Sequence, residues 1–73
     1  SLVGSEMCIR DSRLFVTLRV DDKRSELWEI SPKNGKLLQD FTDSMVYPEK
    51  IAGARHTLLV VDRATQTVKA IGL

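Results

Sequence analysis

One short turn constrains the fold of this chain more than any other segment. In Ser31-Pro32-Lys33-Asn34-Gly35, proline presets φ for a turn, and the Asn-Gly pair tolerates the positive φ values that tight turns require. Apolar residues at strand-like spacing precede and follow it. A period of two places Trp28 and Ile30 on one face of the preceding strand and Leu27 on the other. Residues 26–41 are therefore predicted to form a β-hairpin.

The same alternation of strand and turn residues runs from Arg13 to the last residues of the chain. No stretch shows a helical period with caps. Leu58 to Val61 is apolar at consecutive positions, which is typical of a strand buried on both faces. The sequence predicts an all-β fold of antiparallel strands, located near residues 14–20, 26–31, 36–41, 49–53, 57–62 and 66–71.

The strand pattern also repeats along the chain. Leu14-Phe15-Val16-Thr17 matches Leu58-Leu59-Val60-Val61 at a spacing of 44 residues. Leu27-Trp28-Glu29-Ile30 matches Val68-Lys69-Ala70-Ile71 at a spacing of 41, because the first turn is three residues longer. A strand pair with this period fits one four-stranded propeller blade per repeat. Chance similarity between two apolar hairpins is the alternative explanation.

Two motifs connect this pattern with a known architecture. The turn Ser31–Lys36, after Leu27-Trp28-Glu29-Ile30, resembles the Leu-x-x-Ile-Asp-Pro-x-Thr-Gly-Lys hairpin of bacterial six- and seven-bladed propellers. Pro48–Gly53 followed by Leu58–Asp62 resembles the Pro-x-Gly-Ile-Ala … Leu-Tyr-Val-Ala-Asp pattern of NHL-repeat and gluconolactonase-like propellers. The resemblance spans residues 14–71 and departs from that pattern at two places, Lys50 for a glycine and Arg55-His56 for an Asp/Gly turn.

The resemblance implies that residues 13–73 form about one and a half four-stranded blades of an incomplete β-propeller. In that arrangement, three strands belong to one blade, and residues 49–53 are the innermost strand of the next. The parent protein is then expected to be a binding or interaction scaffold. A small molecule or a protein would be recognised at its central channel, without catalysis by the residues present. Such motifs occur in functionally unrelated proteins, so they indicate architecture more than activity.

The alternative function is a piece of a metal-dependent, gluconolactonase-like hydrolase. In such an enzyme a divalent metal polarises the lactone carbonyl and activates water. Its ligands would come from several inner strands. The sequence itself indicates no cofactor, and the resemblance makes Ca²⁺ a candidate for the parent protein only.

The first twelve residues differ in character from the rest. The codons CTC-GTG-GGC-TCG-GAG-ATG-TGT-ATA-AGA-GAC encode Leu2 to Asp11 in order, and a following AG allows only Ser or Arg, where Ser12 stands. This nucleotide string is similar to a transposase-type sequencing adapter. The resemblance implies that residues 1–12 are not native and that native sequence starts near Ser12 or Arg13. Such a segment is left out of fold reasoning, and we expect it to be poorly packed or attached as an extra strand.

The composition of the chain limits the classes of partner that can be predicted, and it does not indicate the cellular compartment. The chain has 11 basic and 10 acidic residues, and removing Glu6, Arg10 and Asp11 leaves +2 for residues 13–73. The charges are interspersed, so neither a nucleic acid nor a membrane partner is predicted. No apolar run approaches the roughly 18 residues of a transmembrane helix. The only cysteine, Cys8, lies in the excluded segment, and the remainder is compatible with either cytosol or periplasm.

Glu49 is the first choice for a functional residue, because it begins the predicted innermost strand, where side chains face the channel. Asp62 is a weaker candidate for a metal ligand, and an Asp at the end of a strand also commonly accepts hydrogen bonds from turn amides. His56 is the single histidine but lies in a polar turn. No His/Cys/Asp/Glu spacing supplies the three or four ligands of a metal site.

Three further candidates have structural explanations of greater weight. Trp28 is either a stacking platform for a ligand or part of the packing between blades. Tyr47 either lines the channel rim or packs in a loop. Asp21-Asp22 and Glu26 are rich in oxygens, but they lack the ligand spacing of an EF-hand loop. No catalytic residue is predicted.

Overall fold

The structure, a computed structural model, describes residues 4–10, 13–43 and 45–73, and for residues 4–10 only the course of the backbone. These residues form strands and no helix, which confirms the all-β prediction. The ends of β2 to β7 differ by at most one residue from the ranges expected from the sequence. The strands are β1 (Gly4–Arg10), β2 (Arg13–Arg19), β3 (Ser25–Ile30), β4 (Leu37–Asp40), β5 (Pro48–Ala54), β6 (Thr57–Asp62) and β7 (Thr67–Gly72).

The strands form two antiparallel sheets, each a simple meander. The first sheet has the order β1-β2-β3-β4, and the second has the order β5-β6-β7. Strand β1 lies at the edge of the first sheet and pairs with β2. This is one of the two outcomes expected for the opening segment, of which residues 1–3 and 11–12 lie outside the described residues.

The two sheets share the same pairing register. Gly4 pairs with Leu18 in the first sheet and Pro48 pairs with Asp62 in the second, so both partners are displaced by 44 residues. An irregularity follows Gly4 and Pro48 in both hairpins, at the same position of the first strand. Strand β1 therefore occupies in the first sheet the place that β5 occupies in the second.

The turn between β3 and β4 is held by hydrogen bonds of the same residues from which the sequence predicts a turn. The Ser31 carbonyl accepts a hydrogen bond from the Gly35 N–H at 2.8 Å, and the Ser31 N–H donates to the Lys36 carbonyl at 2.8 Å. The Asn34 side chain accepts from the Lys36 N–H at 3.0 Å. Gly35 has φ 71°, a conformation that glycine adopts without the steric cost of a side chain.

The core lies between the two sheets. Phe15 and Leu27 come from the first sheet, and Leu58 and Val60 come from the second, all without exposed surface. Met45, from the connection between the sheets, completes the cluster together with Ile51. Apolar burial of this kind is the main favourable term in folding, at roughly 25 cal/mol per Å².

The two faces of β6 have different surroundings. Leu58 and Val60 face the core and are fully buried, whereas Leu59 and Val61 on the opposite face remain 39% and 38% exposed. The consecutive apolar run predicts burial on both faces, but the described residues supply a covering layer on one face only. The second sheet thus presents an apolar surface to solvent.

The sheets approach each other most closely at their first strands. Strand β5 has Cα atoms within 8 Å of β1, β2 and β3, whereas β6 and β7 approach no strand of the first sheet that closely. A cleft of about 550 Å³ lies between β4 and β7. The sheets therefore splay outward like a wedge, and the cleft is lined by Gln39, Asp40, Phe41, Asp43, Met45, Lys69, Ala70 and Ile71.

We expect truncation of Leu58 to lower the free energy of unfolding much more than truncation of its neighbour. Leu58→Ala removes a fully buried side chain and should cost about 2–5 kcal/mol, because a cavity remains in the core. Leu59→Ala should cost about 1 kcal/mol or less, because Leu59 is partly solvated. Urea denaturation of both variants measures the difference, and equal losses would contradict the assignment of faces.

Candidate functional site

The Asp62 carboxylate connects the end of β6 to the segment that crosses between the sheets. It is 1% exposed. Its Oδ2 accepts a hydrogen bond from the Val46 N–H at 2.7 Å, and its Oδ1 accepts one from the Tyr47 N–H at 3.1 Å. Oδ1 also accepts from the Ala64 N–H at 2.9 Å and the Thr65 N–H at 3.3 Å in the following turn. Both carboxylate oxygens are thus engaged by backbone donors.

These bonds determine the protonation of Asp62. Burial disfavours the charged form and by itself raises the pKa of this carboxyl. The four backbone N–H groups stabilise the carboxylate and outweigh burial, so the pKa of Asp62 is lowered from its ordinary value. The side chain is therefore ionised near neutral pH and acts as a fixed acceptor for amides.

Ser25 holds the same crossing segment from the first sheet. It is fully buried, and its Oγ donates to the Pro48 carbonyl at 2.5 Å. Its N–H donates to the Val46 carbonyl at 3.2 Å. Ser25 and Asp62 therefore fix residues 45–48 between the two sheets, and with them the start of β5.

Glu49 occupies an irregular position at the start of β5. Pro48 pairs with Asp62 and Lys50 pairs with Val61, so Glu49 is an extra residue with no partner of its own in β6. Such bulges redirect side chains at the ends of strands. The Glu49 carboxylate lies 3.9 Å from Nη1 of Arg63, and its side chain is 37% exposed. The bulge places this carboxylate beside the turn that follows β6.

Arg63 is the centre of the polar cluster at this end of the sheets. Its guanidinium lies over the Tyr47 ring, 4.1 Å from the ring centroid, and the Tyr47 side chain is itself buried. Its Nη2 donates to the Asp22 carbonyl in the β2–β3 turn at 3.2 Å. Its backbone N–H donates to the Tyr47 carbonyl at 2.9 Å. Arg63 thus contacts the β2–β3 turn, the crossing segment and β5.

This arrangement can form hydrogen bonds with a polar group of a ligand. Tyr47, Glu49 and Arg63, hereafter the rim cluster, combine a cation held on an aromatic face with a partly solvated carboxylate. Within the described ranges, no three His, Cys, Asp or Glu side chains converge to hold a metal ion. The Asp62 oxygens already accept hydrogen bonds from backbone amides, so the negative charge of Asp62 stabilises the N–H groups of the backbone at this site.

The remaining single candidates lie elsewhere. His56 is exposed in the β5–β6 turn with φ 57°, at the end of that hairpin opposite to Glu49. Its carbonyl accepts a hydrogen bond from the Leu73 N–H at 2.9 Å. Trp28 is half-buried on the face of β3 that points away from the core, and its indole N–H donates to Glu26 at 2.9 Å. Neither residue joins the rim cluster.

The acidic residues near the β2–β3 turn have partners within the chain. Asp21 Oδ1 accepts from the Lys23 N–H at 2.8 Å, and Asp22 Oδ1 pairs with Arg19. Glu26 accepts from Trp28. These contacts stabilise the turn locally.

Sequence reasoning did not single out Ser25 or Arg63. Both act across long separations, Ser25 on the Pro48 carbonyl and Arg63 on the Asp22 carbonyl, so no local motif marks them. The one available signal for Arg63 is its position directly after the strand-ending Asp62.

Comparison with protein-family models, with curated proteins and with solved structures gives no match for this chain. The described residues contain no helix long and apolar enough to cross a membrane.

Replacing Asp62 by Asn should destabilise the fold and flatten its pH dependence. The Asn amide keeps one acceptor oxygen and turns its N–H₂ group toward backbone donors, which should cost about 1–3 kcal/mol. A lowered carboxyl pKa contributes stability above its unfolded value of about 3.9, and the contribution is lost as pH falls through the folded pKa. Urea midpoints between neutral and acidic pH measure both effects.

Asp43→Asn is the matched control, because Asp43 is exposed and lies in the same connection. It should leave the urea midpoint and its acid dependence near those of the wild type. Residual acid dependence in the Asp62 variant is expected from Glu29, whose hydrogen bonds with Arg13 lower its carboxyl pKa. Equal acid profiles for the Asp62 variant and the wild type would contradict the role given to Asp62.

Proposed function

We propose that the chain is a part of a β-propeller-like repeat array that serves as a binding or interaction scaffold. The described strands would be one four-stranded blade and three strands of the next. The protein from which it comes would recognise a small molecule or a protein segment at the loop end that carries the rim cluster. The residues described here would bind and position, without forming or breaking bonds.

The observation that supports this proposal most strongly is the shared register of the two sheets. The β2–β3 and β6–β7 hairpins, which both lie outside residues 1–12, have the same pairing at displacements of 44 and 41 residues. Leu14 pairs with Ile30 in the first, and Leu58 pairs with Ile71 in the second. Adjacent blades of a propeller are closest at their innermost strands and diverge outward, as the first strands and the outer strands do here. An accidental pair of hairpins would have no reason to share both features.

The position of the rim cluster supports the choice of binding end. Glu49 lies at the start of a first strand, where repeated blades would bring equivalent positions together around one axis. The Glu49 side chain is partly exposed and the Arg63 side chain is 53% exposed, so both can contact a ligand. This pairing favours ligands that offer both hydrogen-bond donors and acceptors.

We also propose that residues 1–12 derive from a sequencing adapter and stand where a native first strand belongs. The support is the translated adapter pattern together with the place of β1, which corresponds to that of β5. On this view the parent protein supplies its own strand at this edge.

Sequencing of the source DNA across the codons of Asp11 to Arg13 and beyond tests the repeat and the adapter together. We expect genomic sequence without the adapter string, and flanking coding sequence that continues the strand pattern every 41–44 residues. Flanking sequence with no such period would overturn the repeat proposal. An intact genomic copy of codons 1–12 would overturn the adapter proposal alone.

A ligand screen by NMR tests the binding end. In ¹⁵N-edited spectra of the chain with a fragment library, binders should shift the amide signals of residues 45–47, 49 and 63–66 more than those of residues 54–57. Arg63→Ala should weaken binding by about tenfold, as expected for a charged hydrogen bond. His56→Ala, at the opposite end, is the control.

Binders that shift only the opposite end, or that are insensitive to Arg63→Ala, would contradict the assignment. Ca²⁺-dependent lactone hydrolysis by the full parent protein would favour the hydrolase alternative over the scaffold.

A further inference from the structure

The outer face of the second sheet is an apolar surface without a covering layer among the described residues. Two rows of paired residues cross it. Ala52, Leu59 and Ala70 form one row. Lys50, Val61 and Val68 form the next. All six are exposed, and Val68 has 66% of its surface exposed. A shallow groove of about 330 Å³ runs along this surface, hereafter the open face. Contiguous apolar patches of this kind commonly mark interaction sites.

The shared register shows which kind of surface the open face is. Strand β6 corresponds to β2 at a displacement of 44, so Leu59 and Val61 correspond to Phe15 and Thr17. Strand β7 corresponds to β3 at a displacement of 41, so Val68 corresponds to Leu27. Phe15, Thr17 and Leu27 form the buried face with which the first sheet packs on the second. The open face is therefore the same kind of face, and among the described residues no second sheet covers it.

The complementary kind of face is present at the other side of the same chain. Leu58, Val60 and Ile71 supply the second sheet's half of the core contact. Their counterparts in the first sheet are Leu14, Val16 and Ile30, which point away from the core. With Trp28, and with Leu37, which pairs with Ile30, they form the outward face. Leu37 is 50% exposed, Leu14, Trp28 and Ile30 are half-buried, and Val16 is buried with 5% of its surface exposed.

We propose that the open face of one chain binds the outward face of the first sheet of a second copy, head to tail. The contact would repeat between chains the packing that already joins the two sheets within one chain. Such a heterologous contact leaves one free face of each kind at the ends, so further copies add to form a ring or an open stack. The proposal depends on the correspondence of the sheets and not on a ligand at the rim cluster.

Two lysine substitutions separate this contact from a symmetric one. Val68→Lys blocks the open face, and Leu37→Lys blocks the outward face, at positions exposed enough to accept a charge. Each variant alone should sediment as a monomer at concentrations where the wild type associates, because its self-association constant should fall by about tenfold or more. Mixing the two should give a 1:1 dimer that does not grow, because each molecule retains one free face. Gln66→Lys, in the β6–β7 turn, adds the same charge outside both faces and should associate like the wild type.

A wild-type dilution series by methyl NMR requires no substitution. The methyl signals of Val61, Val68 and Leu37 should shift with concentration, while those of the fully buried Val60 stay fixed. Self-association of Leu37→Lys alone would overturn the head-to-tail contact in favour of pairing between two open faces. A wild-type chain that stays monomeric up to millimolar concentration would overturn the proposal altogether.

Discussion

The buried Asp62 carboxylate is the contact on which the relation between the two sheets depends. The connection from β4 to β5 must cross from one sheet to the other, and the N–H groups of Val46 and Tyr47 within it donate to a side chain instead of a strand. Asp62 accepts hydrogen bonds from both of these N–H groups. Ser25 donates hydrogen bonds to the Val46 and Pro48 carbonyls, and Pro48 has no N–H group that needs an acceptor. A buried charge is normally costly, and here the four amide donors offset that cost. The same bonds bring Glu49 and Arg63 to one end of the molecule.

A second constraint comes from β6, which is apolar on both faces. Only one of these faces can be satisfied by the first sheet, and that face holds the fully buried Leu58 and Val60. The other face leaves Leu59 and Val61 against solvent, at an unfavourable free energy that a further layer would remove. The layered packing and the open face therefore follow from a single strand. The repeat displacement of 44 residues gives that face a defined counterpart.

The strands were predictable because their information is local. Turn residues such as Pro32 and Gly35 mark their ends, and β-branched or apolar runs mark their interiors. The candidate site was predictable only in part. Glu49 can be predicted as a candidate from its place at the start of a strand. Its approach to Arg63 depends on a bulge, and no residue type in the sequence indicates that bulge. The amide partners of Asp62 at Val46 and Tyr47 lie 16 and 15 residues away, so the sequence suggests a turn acceptor without naming the segment it holds.

The wedge between the sheets has a consequence for where chemistry can be concentrated. Any array that repeats this contact turns about an axis on the side of the first strands, since β1 and β5 are close and the space between β4 and β7 is open. In such an array, each unit places the side chain at the start of its first strand near the common axis, so the copies of that side chain lie close together. The same side chain in the β3–β4 turn would lie at the outer edge of the array, far from its copies in the other units. In such an array, the strand on which a side chain lies decides first whether its copies come together in one site. The chemical identity of the side chain matters only after that.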